Sequence, residues 1–378
     1  MNYFILLGGA FLGVAAIVHF GSILVAMLRL DQSAGYVIGH AGGVSVVRTV
    51  CGIENFVEET LRSSFQLDYP RYEILFCVAD ANDPVIAIVH RLIASHPDIE
   101  ARLLIGNNAV SANPKLNNLV KGWRAARYDW ILMADSNLLM PSDHLQRMLS
   151  AWREDTGLVC SPPVGGAPQN LWAELECAFL NTYQARWQCF ADAIGLGFAQ
   201  GKAMLWRREL LERAGGIEVL GSELAEDAAA TKAIRSLGLR VRLVGQPFMQ
   251  PLGHRDAAEV WRRQLRWARL RRTTFKLFFI PELFTGLVPP LIAAVAITAA
   301  AGWPIGGTVV PIAAAWYAAE ALLCHRAGWQ LSRRSILLWM LRDALLPVLW
   351  IAAWIGDEFE WRGNPMSVAI EAFPLSES

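Results

Sequence analysis

A run of 25 residues from Phe4 to Leu28 carries no charged side chain apart from His19, and it constrains this chain more than any other feature. At 1.5 Å per residue a helix of that length crosses a hydrocarbon core of about 30 Å. Met1-Asn2-Tyr3 supplies no basic n-region and the apolar run is long, so a retained transmembrane helix is expected over residues 1–30, not a cleaved signal peptide. Apolar stretches return at 283–301, 306–324 and 336–356, each near the length of a span, within a membrane region placed at 276–360; a tail follows at 361–378. The last stretch contains Arg342-Asp343, a pair that is costly in lipid unless protein surrounds it, so two to three C-terminal membrane helices are expected. His325, Arg326, Arg333 and Arg334 lie between the last two stretches and Arg29 follows the first helix, which places these flanks on the cytoplasmic side.

The whole chain is 54% hydrophobic and 18% charged, but residues 41–275 read as ordinary globular sequence. Lys plus Arg and Asp plus Glu both number 34, and a balanced charge argues against nucleic acid as a partner. The six cysteines never pair as CxxC, which excludes the usual zinc patterns and fits reduced thiols.

Within 41–275, strand-like segments alternate with helical ones. Strands are expected at Val44–Val50, Tyr72–Val78, Ala101–Ile105 and Trp130–Ala134. Helices are expected at Glu54–Phe65, Pro84–Ser95, Pro114–Arg127 and Pro141–Trp152. This alternation predicts an α/β fold with a doubly wound, mainly parallel sheet, which binds ligands beyond the carboxyl ends of its strands. Acids stand at those ends: Asp80 in Asp80-Ala-Asn-Asp83 and Asp135 in Asp135-Ser-Asn137. Such carboxylates hold a nucleoside or a divalent cation, or cap the helix that follows. Neither GxGxxG nor GxxxxGK[ST] occurs, against dinucleotide and P-loop chemistry. Downstream, Glu226-Asp227 opens a helix. Arg263, Arg266 and Trp267 share one face of another helix at about 256–272, where two guanidiniums and an indole suit a diphosphate or a sugar, or lipid head groups. Asn170–Phe190 is a long helical run, read either as a lipid-interface helix or as core. His144 and His254 read as ordinary helix-surface and loop residues.

Six segments in order are CVADANDP at 77–84, ARLLIG at 101–106, NPKLNNL at 113–119, ADSN at 134–137, AED at 225–227 and RQLRW at 263–267. In this order and spacing the chain resembles glycosyltransferases of the GT-A fold, and more narrowly the ceramide glucosyltransferases of glycosyltransferase family 21. The resemblance runs from Val44 to Arg272 and weakly through the C-terminal membrane region. It implies a GT-A domain at 41–275 and an inverting transfer of glucose from UDP-glucose to the primary hydroxyl of ceramide, at the cytoplasmic leaflet of a bacterial inner membrane. It implies Asp80 and Lys115 as donor contacts, Asp135 as donor contact and ligand of Mg²⁺ or Mn²⁺, Asp227 as general base, and Arg263, Arg266 and Trp267 as further catalytic residues. The chain departs from the family at Asn137, where a second acid is usual, and at Gln184, where a histidine is aligned. Gly195–Gly201 resembles an acceptor-lining loop, and Glu360-Trp361-Arg362-Gly363 a segment near the family's C-terminus. Diacylglycerol or a hopanoid is the alternative acceptor, and a non-catalytic membrane scaffold the remote alternative.

Overall fold

The computed structural model describes residues 2–31, 42–361 and 364–368. They form two units, one built on a sheet and one on helices.

The sheet unit comprises Arg29–Ala167 and Ala191–Gly253. Its strands are β1 (Val44–Val50), β2 (Tyr72–Val78), β3 (Ala101–Ile105), β4 (Trp130–Asp135), β5 (Thr156–Cys160), β6 (Val164–Pro168), β7 (Ala203–Arg207), β8 (Arg240–Leu243) and β9 (Met249–Gly253). Seven of them form one sheet in the order β3-β2-β1-β4-β7-β5-β8, while β6 and β9 pair separately. β1 pairs in parallel with β2 and β4, and β2 with β3, as the alternating pattern predicts. Every residue of β1 is buried, as expected of a central parallel strand covered on both faces. One apolar layer gathers Val46, Leu132, Leu145, Val159 and Leu205; another gathers Leu61, Ile74, Phe76, Val89 and Leu92. β7 enters antiparallel between β4 and β5.

The expected helices form with trimmed ends. The first starts at Val57 because Phe56 adopts a left-handed conformation, φ 61°, which breaks any helix begun at Glu54. The next two are Val85–Ser95 and Pro114–Ala125, and the fourth contracts to His144–Ser150. His144 is a correction: it is fully buried, and its ring stacks on Phe248 with centroids 3.7 Å apart. Burial, then Arg48 and Arg147, holds this imidazole well below its usual pKa, so it serves as a neutral core group.

Among the described residues the helical unit comprises 2–28, 168–190, 254–361 and 364–368. Among the described residues three helices are long and apolar enough to cross a membrane: Ile5–Leu30, Ile305–Ala327 and Ser335–Trp354. Leu6, Leu7, Val14 and Ile17 of the first point outward, the surface a lipid-facing helix needs. The stretch at 283–301 is not one straight span: Lys276–Phe284 and Val288–Ala301 meet at a 46° bend. Of the two readings of 170–190, core prevails. Leu175, Phe179, Leu180 and Tyr183 are buried, although Leu171 and Trp172 at its start are exposed. This run is an α-helix over Leu171–Ala178, wound as a π-helix over Phe179–Ala185. A hairpin joins Glu358–Trp361 to Asn364–Ser367; Arg362 and Gly363 of the C-terminal motif lie outside the described residues.

Candidate active site

Register places the expected acids on one edge of the sheet. Thr49 near the end of β1 pairs with Asp135, and Val50 with Val78 of β2, so the carboxyl ends of three parallel strands coincide. Asp80 lies two residues beyond β2, exposed, and its Oδ1 accepts from the Asn82 N–H at 2.9 Å. Helix capping falls to Asp83, which accepts from Val85 N–H at 2.9 Å and from Gly52 N–H at 2.8 Å. Among the described residues the Asp80 carboxylate bonds only within its own turn, which leaves it facing solvent.

Lys115 is the centre of the cluster. Asn113 caps its helix by accepting from the N–H groups of Lys115 and Leu116, and Pro114 fills the first helical position. Gly122, two turns on, lets the helix settle onto the sheet: a Cβ there would lie 2.4 Å from Val47 and 2.6 Å from Cys77. An ammonium at a helix N-terminus opposes the helix dipole. Carboxylates offset this, because Lys115 Nζ pairs with Asp135 Oδ1 at 2.7 Å and with Glu226 Oε1 at 2.6 Å. It also donates to Gly201 O at 2.7 Å. Burial would lower the pKa of this ammonium, but Asp135 and Glu226 outweigh burial and raise it. The Asn113 amide donates to Glu226 Oε2 at 2.8 Å, so one asparagine caps one helix and orients the acid that opens the other.

Asp135 has a second cation. Lys202 Nζ lies 2.8 Å from its Oδ2 and 3.0 Å from Asn137 Oδ1. Burial raises the Asp135 carboxyl, yet the two lysines hold it well below the usual carboxylate range. The loop carrying Asn137 is fixed from beneath by fully buried Arg48, which donates to Ser136 O at 3.0 Å and Leu138 O at 3.1 Å. Asp227 has the opposite environment. Burial, then the neighbouring Glu226, raises its carboxyl to about 6, against the pull of Lys115. Its Oδ2 accepts from Gly201 N–H at 3.0 Å. One residue, Gly201, therefore joins the basic carboxylate to the central ammonium.

The donor set fits a cation at Asp135. Its Oδ2 and the Asn137 amide oxygen already converge on the Lys202 ammonium, a stand-in ion. No group of three acidic, histidine or cysteine side chains able to hold a metal exists among the described residues. A divalent ion there would draw one carboxylate and one amide oxygen from the chain and complete its shell with phosphate and water oxygens.

Arg263, Arg266 and Trp267 sit in the helical unit on the helix Ala257–Thr274, opened by a capping box of Asp256 and Glu259. Arg263 donates to Glu176 Oε1 at 2.6 Å, and Arg255 pairs with the same carboxylate at 3.3 Å. Arg266 stacks over Trp361 at 5.3 Å, Trp267 is half-buried, and Gln184 donates to Gln264 at 3.0 Å.

The model of Glycosyl transferase family 21 matches residues 14–372. The chain belongs to glycosyltransferase family 21. Membership makes it a sugar-transferring enzyme and removes the scaffold reading. Two relatives of this family 21 chain are Caenorhabditis elegans proteins. Ceramide glucosyltransferase 1 is 27% identical over 369 residues, covering 96% of this chain and 79% of its own. Ceramide glucosyltransferase 3 is 26% identical over 334 residues, covering 86% and 73%. Among solved structures, mannosyltransferase PcManGT from Pyrobaculum calidifontis in complex with GDP-Man and Mn²⁺ is 21% identical. It overlaps 92% of this chain and 98% of its own, at a TM-score of 0.48.

In this family 21 enzyme three of the expected residues lie together, Lys115 pairing with Asp135 and meeting Asp227 through Gly201; sequence reasoning passed over Lys202 and the part played by Glu226. The sequence carried no signal for either, because β7, which Gly201 and Lys202 precede, was not among the expected strands. A Cβ on Gly201 would lie 2.7 Å from Glu226 Oε1, 2.9 Å from Lys115 Nζ and 3.5 Å from Asp227 Oδ2. Those atoms are the ends of side chains that yield at little cost in stability but at once in geometry. Gly201→Ala is expected to lower transfer activity by about 10²-fold with a thermal midpoint close to wild type. Wild-type turnover in this variant would show that the cluster tolerates displacement and is not the reacting site.

Proposed function

We propose that this family 21 enzyme transfers glucose from UDP-glucose to the primary hydroxyl of ceramide, with inversion at the anomeric carbon, at the cytoplasmic leaflet. The observation that carries this reading is the cluster, in a chain of family 21, in which Gly201 joins the buried Asp227 carboxylate to Lys115 and Lys115 pairs with Asp135. Asp227 takes the proton from the acceptor hydroxyl as its oxygen bonds to the anomeric carbon. The bond from that carbon to the β-phosphate oxygen breaks, and UDP leaves with the electron pair. A base whose pKa lies near the working pH suits this role. Lys115 lies close to Asp135 and is assigned to the donor diphosphate; Asp80, exposed beyond β2, is assigned to the nucleoside. Asp135 with Asn137 would hold Mg²⁺ or Mn²⁺, which when bound offsets charge on the departing diphosphate. Arg263, Arg266 and Trp267 are assigned to catalysis through the family pattern. Arg29 and the basic loop at 325–334 support a cytoplasmic sheet unit, and the names of the two worm relatives support ceramide as acceptor.

The test is a transfer assay on detergent-purified protein with radiolabelled UDP-glucose and Mg²⁺ or Mn²⁺, offering ceramide and diacylglycerol in parallel. Label is expected in ceramide. Label in diacylglycerol alone would overturn the acceptor, and label in no lipid would overturn UDP-glucose as donor.

A further inference from the structure

Lys202 bridges the two oxygens assigned above to a cation, Asp135 Oδ2 and Asn137 Oδ1. The backbone places it there before any side chain is considered. β4 and β7 run antiparallel with Ala134 opposite Ala203, and Asp135 N–H donates to Lys202 O at 3.1 Å. The ammonium then meets Asp135 Oδ2 at 2.8 Å and Asn137 Oδ1 at 3.0 Å. The amide of Asn137 is oriented for this contact, because its Nδ2 donates to Glu54 Oε2 at 3.1 Å and so turns its oxygen toward Lys202. The other oxygen of Asp135 is held by Lys115 at 2.7 Å. The pair of oxygens best placed to chelate a divalent cation is thus already bridged by a compact charge tethered to the chain.

We propose that Lys202 is a built-in competitor for the divalent cation, keeping Asp135 and Asn137 closed to metal until a nucleoside diphosphate brings further oxygen ligands. This rests on the assignment of Asp135 as the metal-facing carboxylate. Asn137 fits the scheme. An aspartate at that position would add a second negative charge to hold metal on its own, whereas the neutral amide leaves Lys202 and the ion to contend for a single carboxylate. Removing the lysine should therefore create a metal site that needs no nucleotide. A charge within about 4–6 Å changes the proton affinity of a carboxylate by roughly 10- to 1000-fold, and a bound Mn²⁺ should feel Lys202 at least as strongly.

The experiment is Mn²⁺ binding to the purified full-length protein, read from the loss of the free Mn²⁺ electron paramagnetic resonance signal, with and without UDP. Wild type is expected to bind Mn²⁺ weakly alone and tightly with UDP. Lys202→Met is expected to bind Mn²⁺ without UDP at least about tenfold more tightly than wild type. Lys202→Arg, which keeps the charge, should behave as wild type and guards against a folding artefact. Adding Asp135→Asn to Lys202→Met should remove the gain. Equal Mn²⁺ affinity of Lys202→Met and wild type without UDP, when both bind with UDP, would overturn the competition and leave the Asp135 assignment standing. So would tight binding by Lys202→Arg without UDP. Binding by no protein in either condition would overturn the Asp135 assignment and the competition with it.

Discussion

Asp227→Asn is expected to lower the transfer rate by about 10²–10⁴-fold, the usual contribution of a positioned general base. The substitution keeps the shape and the oxygen that accepts from Gly201 N–H, and removes only the capacity to take a proton. Wild-type activity should rise with pH through about 6, because burial and then Glu226 raise the Asp227 carboxyl to that value and the base acts only when ionised. Glu226→Gln removes the second of these causes, so the acidic limb should move to lower pH. Stability follows the opposite sign. A folded-state pKa above the unfolded one contributes stability below about pH 4, and that contribution is lost as pH rises through about 6. At pH 7.5 the ionised Asp227 therefore works against folding, and Asp227→Asn should melt at or above the wild-type temperature. An inactive variant that melts several degrees lower would point to a structural role, and a fully active one would end the general-base assignment.

The contrast between what sequence reveals and what it conceals runs through the same residues. The first three strands matched their expected ends and the fourth gained one residue. Asp80 and Asp135 followed from the rule that parallel sheets present their carboxyl ends to ligands. The β7 insertion left no such mark. An antiparallel strand inside a parallel sheet has the same apolar pattern as its neighbours, so the proximity of Lys202 to Asp135 was invisible until the register was known. His144 was misread for a related reason. A helix of seven residues gives too few turns to distinguish its buried face, and a polar ring stacked on Phe248 looks in sequence like one facing water. The π-helical stretch at Phe179–Ala185 likewise has no compositional signal, since the same apolar residues would suit an α-helix.

Arg342→Met is expected to destabilise the protein by about 3–5 kcal/mol, the cost of leaving a buried carboxylate without its cation. The apolar stretch carrying Arg342-Asp343 is tolerable because protein, not lipid, surrounds the pair: both side chains are 1% exposed. The guanidinium reaches Glu320 through two bonds of 2.9 Å, Asp343 at 2.9 Å and Thr182 Oγ1 at 2.5 Å. Asp343 turns its other oxygen to Leu287 N–H at 3.1 Å and Tyr317 O–H at 3.2 Å. One arginine thereby links the helices Ile305–Ala327 and Ser335–Trp354 with the π-helical stretch at Phe179–Ala185. Removing it leaves two buried carboxylates without the cation they share. Arg342→Lys keeps the charge but not the planar fork, and its cost should fall between wild type and Arg342→Met. The double variant Arg342→Met/Glu320→Gln should cost clearly less than the sum of the two single changes, because each single leaves a charge that the other removes. Thermal midpoints in one detergent would measure the four variants against wild type. Additive losses, or an unchanged midpoint for Arg342→Met, would mean that these helices are held by apolar packing alone and that the charge network is incidental to them.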